Sequence, residues 1–230
     1  MRRGGGDEGV ESGRTPGDVI AVNSPSPIRA AIFDLGGVVI ALSRGQTIRI
    51  WAEAIGIPAD EIRRRFADMA CYHRFERGEV APEDFYRHTC EKLGHGLSPE
   101  AFSRGWNAIL GGPIPGIQAL LARLSTRLRL VLLSNTNIIH AAEWRRTCAG
   151  VLGHFERVFT SYEMGCRKPE PECFRMVLDY LGLPPEQVVC FDDSPENVAA
   201  AAALGMVARC AAGPEDAARE LRTLAVETRD

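Results

Sequence analysis

Four polar positions, far apart in the chain, stand where chemistry could be done. Asp34 directly follows the apolar run 28–33 and opens the sequence Asp34-Leu35-Gly36-Gly37. Ser134 and Asn135 stop the apolar run 128–133, and Asp192-Asp193 stop the run 188–191. Short apolar runs bounded by glycines or polar residues read as buried strands entering tight turns. In an open parallel sheet, ligands bind in the crevice at the carboxyl ends of the strands, so residues 34, 134–135 and 192–193 converge there. Clustered carboxylates take up a hard cation through oxygen, magnesium being the common choice. Lys168, in Gly165-Cys166-Arg167-Lys168-Pro169-Glu170, precedes a helix start, where free backbone N–H groups suit anions. Any one of these residues alone reads as a turn former or a solvated charge. Together they read as a site for an anion and a divalent cation.

The elements that must position them follow from periodicity. Further strands are predicted at 158–160 and 206–208. Helical apolar spacing recurs at Ile117, Leu120, Leu121 and Leu124, and again at Phe174, Val177, Leu178 and Leu181. An alanine-rich helix over 195–204 starts on proline, which suits the first helical turn. Strands alternating with helices imply an α/β fold, a parallel sheet covered by helices on both faces. Residues 45–112 break the pattern: helices are predicted near 45–55, 59–70, 82–93 and 99–110, with no strand, and Gly111 to Pro115 read as a hinge back to the sheet. The division expected is a disordered tail over 1–27, a core from 28–44 and 113–230, and a helical insert over 45–112. The tail holds glycine, proline, serine and charge, too little apolar surface to offset its ordering entropy, although 19–22 could pair locally. An amphipathic end helix is predicted after Pro214, through Ala217, Ala218, Leu221, Leu224 and Ala225.

Composition narrows the function. The 230 residues are 45% hydrophobic and 25% charged with a net charge of −3, which excludes a disordered chain and gives no basic field for nucleic acid or a membrane surface. No apolar run approaches the roughly 18 residues of a membrane span. Seven cysteines, an odd number without a Cys-x-x-Cys pair, read as reduced thiols rather than a zinc site or disulfide framework. The first residues lack the apolar stretch of a signal peptide, so the cytoplasm is the expected location. Arg63-Arg64-Arg65 reads as a solvated helix face, and His73, His88, His95 and His154 show no ligand spacing. Tyr72, His73 and Phe75 read equally as substrate-selecting or core residues, and Trp106 as core. A nucleotide cofactor has no Gly-x-Gly-x-x-Gly or Walker sequence to hold it.

Four motifs in order carry a family resemblance: Phe33-Asp34-Leu35-Gly36-Gly37-Val38, Leu133-Ser134-Asn135-Thr136-Asn137, Arg167-Lys168-Pro169-Glu170, and Phe191-Asp192-Asp193-Ser194 with Asn197. They resemble the haloacid dehalogenase superfamily over residues 28–210. The insert resembles that superfamily's small helical cap on a Rossmann-like core. Phe75-Glu76-Arg77-Gly78-Glu79, Phe102-Ser103-Arg104-Gly105-Trp106, His140 and Trp144 resemble a bacterial branch that includes phosphatases of α-D-glucose 1-phosphate.

The resemblance implies a magnesium-dependent phosphatase of small phosphorylated metabolites with a cap that closes over the site. Asp34 would attack phosphorus and form an aspartyl-phosphate. Ser134 and the backbone of Asn135 would hold phosphate oxygens, and Lys168 would neutralise the phosphate and orient Asp34. Asp193 with Asp192 would hold magnesium, which would also touch Asp34 and the carbonyl of Gly36, with Asn197 supporting that shell. One position departs: Gly36 stands where most such phosphatases carry an acid–base aspartate, worth about 10²–10⁴ in rate or roughly 3–5 kcal/mol. An anomeric oxygen needs protonation less, so a sugar 1-phosphate is the expected substrate type. Two other readings stay open: a non-enzymatic binder of a phosphorylated ligand or partner, which Gly36 favours, and a 2-haloacid dehalogenase, against which the Asp192-Asp193 pair argues. The sequence fixes no oligomeric state.

Overall fold

The computed structural model describes residues 27–66, 70–94 and 96–224. All but the last residue of the expected tail, together with His95 and Ala225, lies outside the described residues.

In chain order the strands are β1 (Ala30–Phe33), β2 (Ile40–Leu42), β3 (Leu110–Pro113), β4 (Arg129–Ser134), β5 (Arg157–Thr160), β6 (Val188–Asp192) and β7 (Val207–Cys210). The helices are α1 (Gln46–Ile55), α2 (Ala59–Arg65), α3 (Ala70–Glu76), α4 (Pro82–Leu93), α5 (Pro99–Asn107), α6 (Ile117–Leu124), α7 (Ile138–Thr147), α8 (Ala149–Leu152), α9 (Ser161–Met164), α10 (Pro171–Leu181), α11 (Pro195–Ala203) and α12 (Pro214–Thr223).

Five strands form a parallel sheet in the order β5-β4-β1-β6-β7. Successive side chains on a strand point to opposite faces, and here both faces are buried. Ala31 and Phe33 join Leu130, Leu132, Val189 and Phe191 in one core, covered by α6, α7 and α12 through residues such as Leu121, Trp144 and Leu221. Ala30 and Ile32 join Val131, Leu133, Val188 and Cys190 in the other, covered by α10 and α11 through Phe174, Val177 and Ala201. The α/β class with helices on both faces is therefore the observed one. Phe33 is fully buried against Phe191, ring centroids 5.0 Å apart. Such a side chain contributes about 1.5–3 kcal/mol through burial alone, so the strand carrying the first motif is firmly seated.

A third core is built mainly from α1–α5: Trp51, Ile62, Phe75, Phe85, Phe102 and Trp106 pack together. Trp51 stacks on Trp106 at 5.9 Å and on Phe102 at 5.6 Å. Trp106 and Phe75 are thus core residues of the helical insert.

Several elements differ from the sequence reading. The segment expected as a hinge is strand β3, which pairs antiparallel with β2, Ile40 opposite Pro113 and Leu42 opposite Leu110. Leu110-Gly111-Gly112-Pro113 has no strand-like composition; Gly111 is there because a Cβ would come 2.7 Å from the Ala41 carbonyl oxygen, a close backbone approach that only glycine permits. The helix expected over 59–70 stops at Arg65, and α3 is an additional helix. Helix α7 was also unread: it buries only His140, Ala141 and Trp144, so it has no clear apolar stripe.

Candidate active site

The strand ends bring the motif residues into register. Phe33 lies opposite Leu132 of β4 and Phe191 of β6, so Asp34, Ser134 and Asp192 emerge at one edge of the sheet. The turn after β1 is fixed by Gly37, whose φ is +85° and whose Cβ, if present, would come 2.5 Å from Asp193 Oδ2. Only glycine admits both that backbone conformation and that approach.

The charges then interlock. The buried Lys168 ammonium donates to Asp34 Oδ1 at 2.7 Å and to Asp192 Oδ2 at 2.5 Å. The other oxygen of Asp192 accepts from the Ser194 N–H and from Asn197 Nδ2, both at 2.9 Å. One oxygen each of Asp34, Asp192 and Asp193 lie within 4.8 Å of one another. Asp193 also meets the largely exposed Arg44 guanidinium at 3.3 Å. Burial raises Asp34 to about 6, the Lys168 charge opposing this and the Asp192 charge adding to it. Burial alone would lower Lys168, but the Asp34 and Asp192 carboxylates outweigh it and hold the ammonium charged well above the usual lysine range. Burial and the Asp192 charge push Asp193 up as well, with Arg44 opposing. Burial first, and a neighbouring like charge second, oppose ionisation of Asp34 and Asp193, and a divalent cation would offset both. The all-oxygen set of Asp34, Asp192 and Asp193 fits magnesium.

Of the residues singled out in the sequence, Asp34, Gly36, Ser134, Asn135, Lys168 and Asp193 line one pocket. Asp192 does not: it is 1% exposed and stands behind Lys168. Asn197 reaches the pocket wall beside it. The Asn135 side chain is committed elsewhere, accepting from the Lys168 N–H and donating to the Lys168 carbonyl, both at 2.8 Å. Only its backbone is available to a ligand.

Tyr72 from the insert faces the pocket, whereas Phe75 is core. His140 and Trp144 line it from α7. His140 Nε2 lies 3.0 Å from the Trp106 carbonyl oxygen, which can only accept, so Nε2 carries the proton and Nδ1 accepts from Asn137 Nδ2 at 3.1 Å. Burial lowers His140 to about 4, the Trp106 contact opposing this, and keeps the ring neutral. Leu42 and Arg44 are pocket residues that the sequence reading missed. They lie at and just past β2, an element of three residues with no readable alternation.

These features have counterparts among known proteins. A HAD family enzyme of Bacteroides thetaiotaomicron, solved as a magnesium complex, superposes with a TM-score of 0.77 at 29% identity, covering 86% of this chain and 100% of that one. The same enzyme solved with magnesium and inorganic phosphate gives 0.72 at 29%, covering 81% and 96%. The D-ribitol-5-phosphate phosphatase of Bacteroides thetaiotaomicron is 21% identical over 74% of this chain and 85% of its own length. The phosphoserine phosphatase of Thermus thermophilus is 35% identical over 68% and 65%. Mouse acyl-CoA dehydrogenase family member 10 is 27% identical over 85% of this chain, which spans only 19% of that protein. The family of haloacid dehalogenase-like hydrolases matches residues 28–205. With the four motifs gathered at one sheet edge and that match over most of its length, the chain belongs to the haloacid dehalogenase-like hydrolases.

Proposed function

We propose that this hydrolase is a magnesium-dependent phosphatase of small phosphorylated metabolites, acting through an aspartyl-phosphate on Asp34. The observation that carries the reading is the Lys168 ammonium bridging Asp34 and Asp192 at the floor of a pocket that Asp193 and Ser134 also line. The relatives that act on phosphorylated small molecules, and the neighbour solved with magnesium and phosphate, support it.

In this mechanism Lys168 holds one Asp34 oxygen and leaves the other to attack phosphorus; the new O–P bond forms as the ester P–O bond breaks. The Ser134 hydroxyl and the Asn135 backbone N–H donate to phosphate oxygens, and the lysine charge offsets the phosphate's. Gly36 offers no proton, so the leaving oxygen takes its proton from water. Water then cleaves the acyl phosphate and restores Asp34. Asp34, Asp192, Asp193 and the Gly36 carbonyl would hold magnesium, which would supply neutralisation of the phosphate charge. A leaving oxygen that needs little protonation suits this site, which favours an anomeric sugar phosphate such as α-D-glucose 1-phosphate.

In this reading the insert of residues 45–112 serves as a cap on a core drawn from 28–44 and 113–230. No helix among the described residues is long and apolar enough to cross a membrane, and all seven cysteines are free thiols; both suit a cytoplasmic enzyme. The test is phosphate release across a panel of sugar phosphates and one aryl phosphate, with and without magnesium, for the wild type and Asp34→Asn. Magnesium-dependent turnover lost in the variant is the expected result. A folded protein that binds phosphate but turns over nothing supports the second reading, a binder of phosphorylated ligands, which the absence of an acid at Gly36 favours.

A further inference from the structure

Lys168 is gripped from two sides, and one of them is the helical insert. On the sheet side, the Asn135 amide holds the Lys168 N–H and carbonyl, both at 2.8 Å. On the other side, Arg167 Nε donates to Glu76 Oε2 at 2.9 Å. Arg77 Nε donates to Glu170 Oε1 at 3.0 Å, and Arg77 Nη2 contacts the same oxygen. The turn between them is closed by the Glu170 N–H on the Arg167 carbonyl at 2.9 Å. Two adjacent residues at the end of α3 therefore hold the residue before Lys168 and the second residue after it.

The approach is close in the backbone as well. Gly78 has a φ of +72°, and a Cβ there would come 2.4 Å from the Tyr162 carbonyl oxygen of α9. Glu76 is 2% exposed, so its pair with Arg167 is not a weak surface bridge; removing one partner leaves the other charge with little water to replace it. Tyr72 lines the pocket, and burial together with the nearby Glu76 charge raises its hydroxyl well above the usual tyrosine range. A single run of contacts thus joins a pocket residue, Glu76, Arg167 and the segment that carries the lysine.

We propose that Glu76 and Arg77 are positioning residues for Lys168: by pairing with Arg167 and Glu170 they hold its backbone so that the ammonium stays between Asp34 and Asp192. The kinetic half of this inference rests on the phosphatase reading; the structural half rests on the contacts alone. It makes the insert more than a lid. When the α3 end leaves the 165–170 segment, the lysine loses half of its support, so phosphoryl transfer is favoured only with the insert seated. A displacement of about 1 Å at a reacting group costs about 10²-fold in rate.

The test uses Glu76→Gln, which keeps size and removes charge, and Arg77→Gln, at a more exposed position that spares the insert's core. Amide hydrogen exchange of peptides spanning 165–174, kcat and KM for p-nitrophenyl phosphate in magnesium, and Tm are measured in the full chain. The expected result is faster exchange in that segment and a kcat about 10- to 100-fold lower, with a smaller change in KM and partial recovery in Glu76→Asp. A merely structural role would lower Tm and speed exchange throughout α1–α5 while leaving kcat of the folded protein intact. Unchanged exchange at 165–174 together with unchanged kcat in both glutamine variants overturns the inference. If Glu76→Gln does not fold, Arg77→Gln decides alone. If the wild type releases no phosphate, the phosphatase reading fails, and the exchange data still decide whether the insert holds the lysine segment.

Discussion

Leu42 occupies the space that a side chain on Gly36 would need: a Cβ at residue 36 would come 2.9 Å from Leu42 Cδ1. The acid–base position is therefore not merely unfilled; β2 closes it with an aliphatic side chain. Gly36→Asp alone is then expected to lower kcat and to destabilise by about 1–3 kcal/mol through overpacking. Gly36→Asp with Leu42→Ala is expected to recover stability and to gain rate on alkyl phosphates, whose leaving oxygen needs a proton, more than on aryl phosphates. Comparing kcat for the two substrate types in the three proteins checks it. An equal gain on both types would mean that proton donation is not what residue 36 lacks.

Lys168→Met removes the charge that lowers Asp34 and leaves two carboxylates side by side. The Asp34 carboxyl is expected to titrate above its present value of about 6, and phosphate release to fall about 10²–10³-fold, as for other lost electrostatic stabilisers. Carboxyl titration by NMR and steady-state rates measure both. A variant with wild-type turnover would remove the lysine from the mechanism.

Magnesium binding should be linked to protons. Asp34 titrates at about 6 without metal, and a protonated carboxyl is a poor ligand, so affinity is expected to weaken as pH falls through that value. Calorimetry in two buffers of different ionisation heat should show proton release on binding near pH 6 and little at pH 8. Release that is the same at both values would place the titrating group elsewhere.

His140 gives a second pH effect, on stability. Its folded value of about 4 lies below the ordinary 6.5, so between these values the unfolded chain binds the proton and the folded chain does not. The stability this group contributes is complete above pH 6.5 and is lost as pH falls towards 4, by about 3 kcal/mol. Asp34, raised in the same window, acts with the opposite sign, so the difference between wild type and His140→Gln isolates the histidine. That difference should shift against the wild type on the acid side; a constant offset would mean that the ring is not buried neutral.

The reading from sequence succeeded where physics is local. Runs such as 128–133 and 188–191 are buried on both faces and announce themselves as strands, and polar residues at their ends mark the crevice. It failed where pairing is long-range. β3 forms by pairing with β2, where Ala41 leaves room only for Gly111, and Leu42 lies beside Gly36; neither relation is readable from its own segment alone. Asp192 and Asp193 are legible together as a carboxylate pair, but not their division of labour: Asp192 is buried on Lys168 while Asp193 lines the pocket, which depends on how two adjacent side chains turn. Glu76-Arg77 and Arg167 to Glu170 each stand in a legible motif, but their pairing joins residues about ninety positions apart and is not readable from either motif.

The central claim is that Asp34 becomes covalently phosphorylated. Mixing enzyme with substrate in magnesium, quenching in acid and mapping peptides by mass spectrometry tests it directly. One phosphoryl group on the peptide containing Asp34, absent from Asp34→Asn, is the predicted result. Turnover without any labelled peptide, or with the label on another residue, would contradict it.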